Sequence, residues 1–145
     1  MDTKRISFEP KVWGPHAWNF IHFVALSYPK NPMPKDKATY KQFYFLLGNV
    51  LPCTSCVKNY RRHWHNYPID QYLSSPDALF EWTVIIRNAV KQQIHNNDQI
   101  YYNPTELREQ LLKNEQKNVG LPYLLPIAII LGGGAIPFLL FYCRS

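Results

Sequence analysis

Proline-rich breaks divide the first 118 residues into stretches with helical character. Five such stretches cover residues 13–28, 36–50, 54–66, 75–95 and 105–117. Proline disrupts a helix interior but is tolerated in the first helical turn. Within the stretches apolar residues recur every three or four positions, as on one face of a helix, and we find no run that alternates as a strand would. The sequence therefore predicts an all-α fold, built as a small helical bundle.

The stretch from Leu121 to Tyr142 contains no charged residue and is long enough to cross a bilayer as a helix. Membrane helices tolerate the prolines and the three adjacent glycines that it contains. The alternative is a buried hairpin, but a small domain would then have to hide the whole segment. The expected organisation is an N-terminal extension (1–11), a soluble domain (12–118), a transmembrane helix (121–142) and a short tail (143–145).

Charge and the N-terminus bear on location and partners. The first eleven residues include Asp2, Lys4, Arg5 and Glu9 and have no apolar core, so no signal peptide is predicted. We therefore expect a single-pass membrane protein whose soluble domain stays in the cytosol. The net charge of +6 is spread along the chain without a nucleic-acid motif, so no nucleic-acid partner is expected.

Cys53 and Cys56 form a Cys-x-x-Cys pair at the predicted start of the third helix. Three cysteines in all cannot build a structural disulfide framework. The pair is suited instead to a redox disulfide, because a helix N-terminus favours the reactive thiolate. A zinc site is one alternative, although His63 and His65 do not match the usual spacing of further ligands. A pair of inert, buried cysteines is the other alternative. We favour the redox role over both, so no resident metal is expected.

Gly14, Trp18 and His22 repeat every four residues along the first helix. At about 100° per residue they fall, with Tyr28, within one arc of about 120°. Small residues alternate there with large aromatic ones, so a flat ring could approach closely. A packed core is the commoner use of such a stripe, and the periodicity alone favours it.

Three motifs follow one another in a set order. They are Trp-Gly-x-x-x-Trp-x-x-x-His-x-x-x-x-x-Tyr-Pro over residues 13–29, Leu-Pro-Cys-x-x-Cys over 51–56, and a tryptophan-led helix with Asn88 and Val90. Over about residues 12–95 this combination resembles the Erv/ALR family of FAD-linked sulfhydryl oxidases. The resemblance implies a four-helix bundle with a short fifth helix, here followed by the predicted transmembrane helix. It also implies an enzyme that forms disulfide bonds and passes electrons through FAD to oxygen, giving hydrogen peroxide.

The resemblance also assigns roles by position. Cys56 would be the thiol nearest the flavin, and Cys53 the one that exchanges with an incoming dithiol. On the first helix the residues that line the flavin would be Gly14, Trp18, His22 and Tyr28. On the fourth helix the residues that border the nucleotide would be Trp82, Asn88 and Val90.

Arg87 and Lys91 depart from the family pattern. Where the family usually has His-Asn-x-Val-Asn, this chain has Arg87-Asn88-Ala89-Val90-Lys91. The two cations lie one helical turn apart and could pair with the FAD pyrophosphate, or could form a solvated face. Tyr101 and Tyr102 are further candidates to close the adenine end.

The chain has no second Cys-x-x-Cys, and Cys143 cannot form a dithiol alone. Electrons are therefore expected to come directly from a protein dithiol, such as a thioredoxin-like or Cys-x-x-Cys shuttle protein. A membrane-anchored domain of this minimal kind looks like the oxidases of large DNA viruses, which would place it in a host-cell or virion membrane. The resemblance also implies a homodimer. The apolar residues that could contribute to its interface, or could equally belong to the core, are Phe20, Phe23, Phe43 and Phe45.

Two other functions are open at this point. A tail-anchored helical interaction protein with a zinc-binding or inert cysteine pair would be colourless and indifferent to Cys56→Ala. A dithiol reductase without flavin would exchange disulfides without consuming oxygen.

Overall fold

The computed structural model describes residues 6–95 and 101–120, and over these ranges it contains five α-helices and no β-strand. The helices are α1 (Pro10–Leu26), α2 (Pro34–Val50), α3 (Thr54–Asn66), α4 (Pro76–His95) and α5 (Pro104–Gly120), with a 3-10 turn at Ile69–Tyr72. The predicted all-α class with five helices is confirmed. The fifth helix is not the short one that was expected, because α5 has 17 residues, as many as α1.

Prolines begin helices in this chain as well as separating them. The first residues of α1, α2, α4 and α5 are Pro10, Pro34, Pro76 and Pro104. Proline suits this position because the first backbone N–H of a helix has no partner within the helix. The predicted start at residue 36 falls late because Pro34, assigned to the preceding break, belongs to the first turn of α2. The predicted start at residue 13 also falls late, because α1 begins at Pro10 and Pro15 lies inside the helix.

The described residues up to Leu107 form one compact unit. In it α1 packs against α4, α2 against α3, α3 against α4, and the 3-10 turn against α4. The fully buried rings of Tyr44 and Trp82 meet edge to face, with their centroids 5.1 Å apart. Trp82 meets Trp64 of α3 in the same way at 5.9 Å. This aromatic cluster joins α2, α3 and α4 into one core.

Buried tyrosine hydroxyls connect α1, α2 and α3 through backbone carbonyls. Tyr60 of α3 donates to the carbonyl of Tyr44 at 2.9 Å, and Tyr44 of α2 donates to the carbonyl of Ile21 in α1 at 3.0 Å. Burial raises the pKa of both phenols, so both remain neutral donors. Each of these buried polar groups is satisfied, and each fixes one helix against the next.

Gly48 allows α2 and α3 to approach closely. It is buried, and a Cβ at this position would overlap the ring of Tyr60. Glycine is about 1 kcal/mol less favourable than alanine inside a helix, so the close contact with Tyr60 explains its place in α2. The contact sets the position of α3, which carries the cysteine pair at its start.

The second unit begins at Arg108, and its described part is the remainder of α5. Lys113 and Glu109 form an exposed ion pair there at 3.5 Å, one turn apart. The predicted transmembrane helix (121–142) and tail (143–145), which includes Cys143, lie outside the described residues. Over residues 6–95 and 101–120, no helix combines the length and the apolar character needed to cross a bilayer.

Candidate active site

Cys53 and Cys56 are joined by a disulfide at the N-terminus of α3. Cys53 is the N-cap residue, and its Sγ accepts a hydrogen bond from the backbone N–H of Cys56 at 3.2 Å. The hydroxyl of Ser55 lies 3.2 Å from the same sulfur and donates to it, since a disulfide sulfur has no proton. After reduction, both donors and the helix dipole would stabilise a thiolate on Cys53.

The two cysteines differ in accessibility. Cys53 is 4% exposed, whereas Cys56 is half-buried. The chain ahead of α1 lies beside them, because the N–H of Phe8 donates to the carbonyl of Pro52 at 2.8 Å. The indole N–H of Trp13 in turn donates to the carbonyl of Phe8 at 3.4 Å. A thiolate of another protein therefore reaches Cys53 only after local movement around the pair.

Trp18 and His22 lie on the face of α1 that meets α4. His22 is fully buried, and its ring stacks with that of Trp18 at 5.9 Å and lies 5.4 Å from that of Phe80. Gly14, one turn before Trp18, has open space where a Cβ would stand. The structure thus brings together Trp18 and His22 as predicted, with an open flank at Gly14.

Both ring nitrogens of His22 have partners on α4. Nδ1 lies 2.8 Å from Oγ1 of Thr83, and Nε2 lies 3.2 Å from Nη1 of Arg87. Burial, together with the positive charge of Arg87, lowers the pKa of His22 to about 3. The imidazole is therefore neutral at physiological pH.

Arg87 and Lys91 form a cationic cluster with Tyr102. The guanidinium lies 3.8 Å from the centre of the Tyr102 ring and 5.9 Å from that of Trp18, and Nζ of Lys91 lies 4.6 Å from the Tyr102 ring. Burial lowers the pKa of Arg87, but a guanidinium remains charged. Within the described ranges neither cation forms an ion pair with a carboxylate. Two half-buried cations that pair with no carboxylate among the described residues favour an anionic ligand.

Asn88 holds Tyr102 over this cluster. Its amide nitrogen donates to the carbonyl of Tyr102 at 3.1 Å, and its Oδ1 accepts from the N–H of Tyr102 at 2.9 Å. This two-point contact orients the residue that covers Arg87. Of the remaining predicted residues on this part of α4, Val90 is half-buried, and Tyr101 before α5 is exposed.

Tyr28 and Trp82 lie in packed surroundings of their own. The hydroxyl of Tyr28 donates to the carbonyl of Leu73 at 3.2 Å, and its ring meets Tyr40 at 4.6 Å. Trp82 donates from its indole N–H to the carbonyl of Tyr67 at 2.9 Å and belongs to the aromatic core. Neither shares the contacts that join Trp18, His22 and Arg87.

Sequence reasoning missed Thr83 and Ser55, and gave Tyr102 little weight. Thr83 lies four residues before Arg87, so both occupy the same face of α4, and this spacing is the signal that could have found it. Ser55 stands inside the Cys-x-x-Cys motif itself, which could have drawn attention to its hydroxyl.

These residues fit FAD. A planar ring system needs aromatic surface and free space, which the half-buried Trp18 and the open flank at Gly14 provide, while the buried His22 stacks with Trp18 from inside the bundle. A pyrophosphate needs cations, which Arg87 and Lys91 provide, and neither of them pairs with a carboxylate in the part of the chain that the structure describes. The zinc alternative would need two further ligands beside the two cysteines. His63 contacts Gln93 at 3.3 Å, and the described residues include no group of three His, Cys, Asp or Glu side chains placed to hold a metal ion.

Comparison with known proteins gives concordant matches. The model of the Erv1/Alr family matches residues 15–112. A probable FAD-linked sulfhydryl oxidase of Acanthamoeba polyphaga mimivirus is 38% identical over 110 residues, which are 75% of this chain and 77% of the viral protein. The mitochondrial FAD-linked sulfhydryl oxidase erv1 of Schizosaccharomyces pombe is 28% identical over 81 residues, 56% of this chain and 44% of that protein. This chain therefore spans less than half of the yeast relative.

The fold has a match among solved structures as well. The crystal structure of the yeast Erv1 core aligns with a TM-score of 0.63 at 22% identity, covering 77% of this chain and 92% of that chain. At this level of identity the match shows a shared fold.

Proposed function

Because this chain belongs to the Erv1/Alr family, we propose that it is an FAD-linked sulfhydryl oxidase, an enzyme that forms disulfide bonds in other proteins. The observation that carries the proposal is the Cys53–Cys56 disulfide at the N-terminus of α3. A disulfide in this position can accept electrons from a protein dithiol by exchange.

The exchange proceeds in two displacements. A substrate thiolate attacks Sγ of Cys53, forming a mixed disulfide and breaking the Cys53–Cys56 bond, so that Cys56 leaves as a thiolate. The second substrate thiolate attacks the substrate sulfur of the mixed disulfide and displaces Cys53. The substrate has then lost two electrons and two protons, the electron pair is on the chain's dithiol, and the protons go to its thiolates or to solvent. The N–H of Cys56 and the hydroxyl of Ser55 stabilise the charge that appears on Cys53.

The residues proposed to hold FAD lie on α1 and α4. Trp18 and His22 support the flavin beside Gly14, with Cys56 as the adjacent thiol, while Arg87 and Lys91 bind the pyrophosphate. When bound, FAD supplies a two-electron acceptor for the dithiol, and oxygen takes the pair with two protons to give hydrogen peroxide. By family position Tyr28, Trp82, Asn88 and Val90 belong to the same site. For Asn88 the contact with Tyr102 supports an indirect role.

We also propose a homodimer through the outer faces of α1 and α2. Phe20 and Phe45 are 56% and 50% exposed, and the exposed Phe23 lies on the same helix as Phe20. Phe20 meets Phe43 of α2 edge to face at 6.1 Å. The exposed Phe45 instead meets Trp64 of α3 edge to face at 5.7 Å. Exposed aromatic surface of this kind is typical of an interface.

The proposed location follows from the chain outside the described residues. A transmembrane helix over 121–142 would anchor an oxidase domain over 12–118 to a host-cell or virion membrane, with the catalytic domain in the cytosol and a protein dithiol as its substrate. That a matched relative is a viral protein supports the viral part of this proposal.

The first test is the visible absorption spectrum of the purified full-length protein, before and after a dithiol is added with and without oxygen. We expect flavin bands that bleach only when oxygen is exhausted, together with peroxide equivalent to the thiol pairs oxidised. Cys53→Ser should keep the bound FAD but stop turnover, whereas Cys143→Ser, the matched cysteine control, should retain both.

Two results would contradict the proposal. A colourless protein that cannot be reconstituted with FAD would remove the cofactor from the reaction. Disulfide exchange without oxygen consumption, in protein that does hold FAD, would point to a dithiol reductase instead.

A further inference from the structure

A chain of hydrogen bonds crosses the buried contact between α1 and α4, and its protons have one consistent arrangement. The hydroxyl of Thr83 donates to the carbonyl of Phe80 at 2.6 Å. Its oxygen is then the acceptor for Nδ1–H of His22 at 2.8 Å. Nε2 of His22 keeps its lone pair and accepts from Nη1 of Arg87 at 3.2 Å, because a guanidinium has only donors.

The other tautomer of His22 does not satisfy these groups. With the proton on Nε2, two N–H groups of His22 and Arg87 would face each other. Nδ1 would also need the proton of Thr83, which would leave the carbonyl of Phe80 without it. His22 is fully buried, so solvent does not compensate for an unpaired group there.

This arrangement orients Arg87. One N–H of the guanidinium points at Nε2 of His22, and its Cζ lies 3.8 Å from the centre of the Tyr102 ring. Contacts with two different residues hold the planar group in place, and a guanidinium has five N–H donors, more than these contacts use. Nε2 of His22 can accept this hydrogen bond because Thr83 holds the ring proton on Nδ1.

We propose that Thr83 is a positioning residue for the FAD site, which holds His22 as the Nδ1–H tautomer and so aims Arg87 at the pyrophosphate. The inference rests on the proposed function, since the pyrophosphate of FAD is the anion concerned. It gives Thr83 a role that depends on its hydroxyl and not on its size.

Thr83→Val tests this role in the full-length protein, because valine keeps the shape of threonine and removes the hydroxyl. Long-range proton–nitrogen NMR of the His22 ring reports the tautomer, and fluorescence titration reports the dissociation constants of FAD and of riboflavin, which lacks the pyrophosphate. We expect the Nδ1–H signature to be lost, the FAD dissociation constant to rise about tenfold, and that of riboflavin to change less than about twofold. Thr83→Ser should restore wild-type values.

Thr39→Val is the matched control. Thr39 is an exposed threonine of α2 whose hydroxyl donates to the carbonyl of Lys35 at 2.9 Å. Its replacement should leave the tautomer of His22 and both dissociation constants unchanged.

The outcomes separate the two proposals. If the wild type binds FAD and Thr83→Val shows the same FAD affinity and the same His22 tautomer, the role of Thr83 is overturned and the proposed function stands. Equal weakening of FAD and riboflavin, without recovery in Thr83→Ser, shows a general structural effect and also overturns it. Wild-type protein that binds no FAD overturns the proposed function and this use of Thr83 together.

Discussion

His22 gives the folding stability a pH dependence with a defined sign. In the folded protein burial, and then Arg87, lower its pKa from 6.5 to about 3. Between these values the unfolded chain binds a proton that the folded protein does not, so stability is fully present above pH 6.5 and falls as the pH drops towards 3. The slope from one such residue is at most about 1.4 kcal/mol per pH unit.

Urea unfolding between about pH 7.5 and 4.5 should show this loss. His22→Gln is expected to reduce the slope, and His65→Gln, at an exposed position of α3, to leave it as in the wild type. Burial also lowers the pKa of His63, whose share of the slope remains in both variants. A slope unaffected by His22→Gln would mean that another group carries it.

Ser55 is expected to lower the pKa of the Cys53 thiol, because its hydroxyl donates to the sulfur. In protein that also carries Cys56→Ser and Cys143→Ser, Cys53 is the remaining cysteine. There, Ser55→Ala should raise the thiol pKa by roughly half a unit to one unit, the equivalent of one hydrogen bond. The pH dependence of alkylation by iodoacetamide measures this, and Thr54→Ala, at the exposed neighbouring position, is the control. Equal profiles for the two variants would mean that the helix N-terminus stabilises the thiolate without help from Ser55.

The geometry between elements explains what the sequence could and could not predict. The sequence predicts Trp18 and His22 on one face because both lie within α1, where successive residues are rotated by about 100° around the helix axis. The sequence also predicts Tyr28 on this face, but α1 ends at Leu26, so helical periodicity does not extend to Tyr28. The partnership of His22 with Thr83 depends on how α1 crosses α4, which no periodicity within one helix contains.

Gly48 is expected to control the spacing of α2 and α3. A methyl group at this position overlaps the ring of Tyr60, and overpacking a core costs about 1–3 kcal/mol, partly offset by the better helix propensity of alanine. Gly48→Ala should therefore destabilise the protein by about 1–2 kcal/mol in urea unfolding. On the same helix, the exposed Ala38→Gly should also destabilise, by about 1 kcal/mol, because there only propensity acts. A stabilising effect of Gly48→Ala would contradict the close contact.

At the scale of the whole molecule, the sequence predicted a helical FAD oxidase because motif order extends over most of the domain. The motifs that carry this prediction contain Trp18, His22 and the Cys53–Cys56 pair, and the family match confirms the resemblance. Side chains that act through another residue, such as Asn88 through Tyr102, needed coordinates. The same limit applies to assembly, since an exposed phenylalanine and a core phenylalanine look alike in a sequence.

Assembly is the last prediction, and it concerns the exposed aromatic surface of α1 and α2. Phe20 and Phe45 are half exposed, and Phe45 also meets Trp64 edge to face at 5.7 Å. Replacing Phe45 therefore costs the monomer that ring contact, but inside an apolar interface a charge at either position would be buried without a partner. The double variant Phe20→Glu, Phe45→Glu should therefore sediment as a monomer at concentrations where the wild type is a dimer, while retaining bound FAD. Ile94→Glu, which replaces an apolar residue 66% exposed on α4, is the matched control and should sediment as the wild type does. A dimer that survives the double variant would have to be held together by another surface, because two buried carboxylates facing their counterparts would dissociate one formed here.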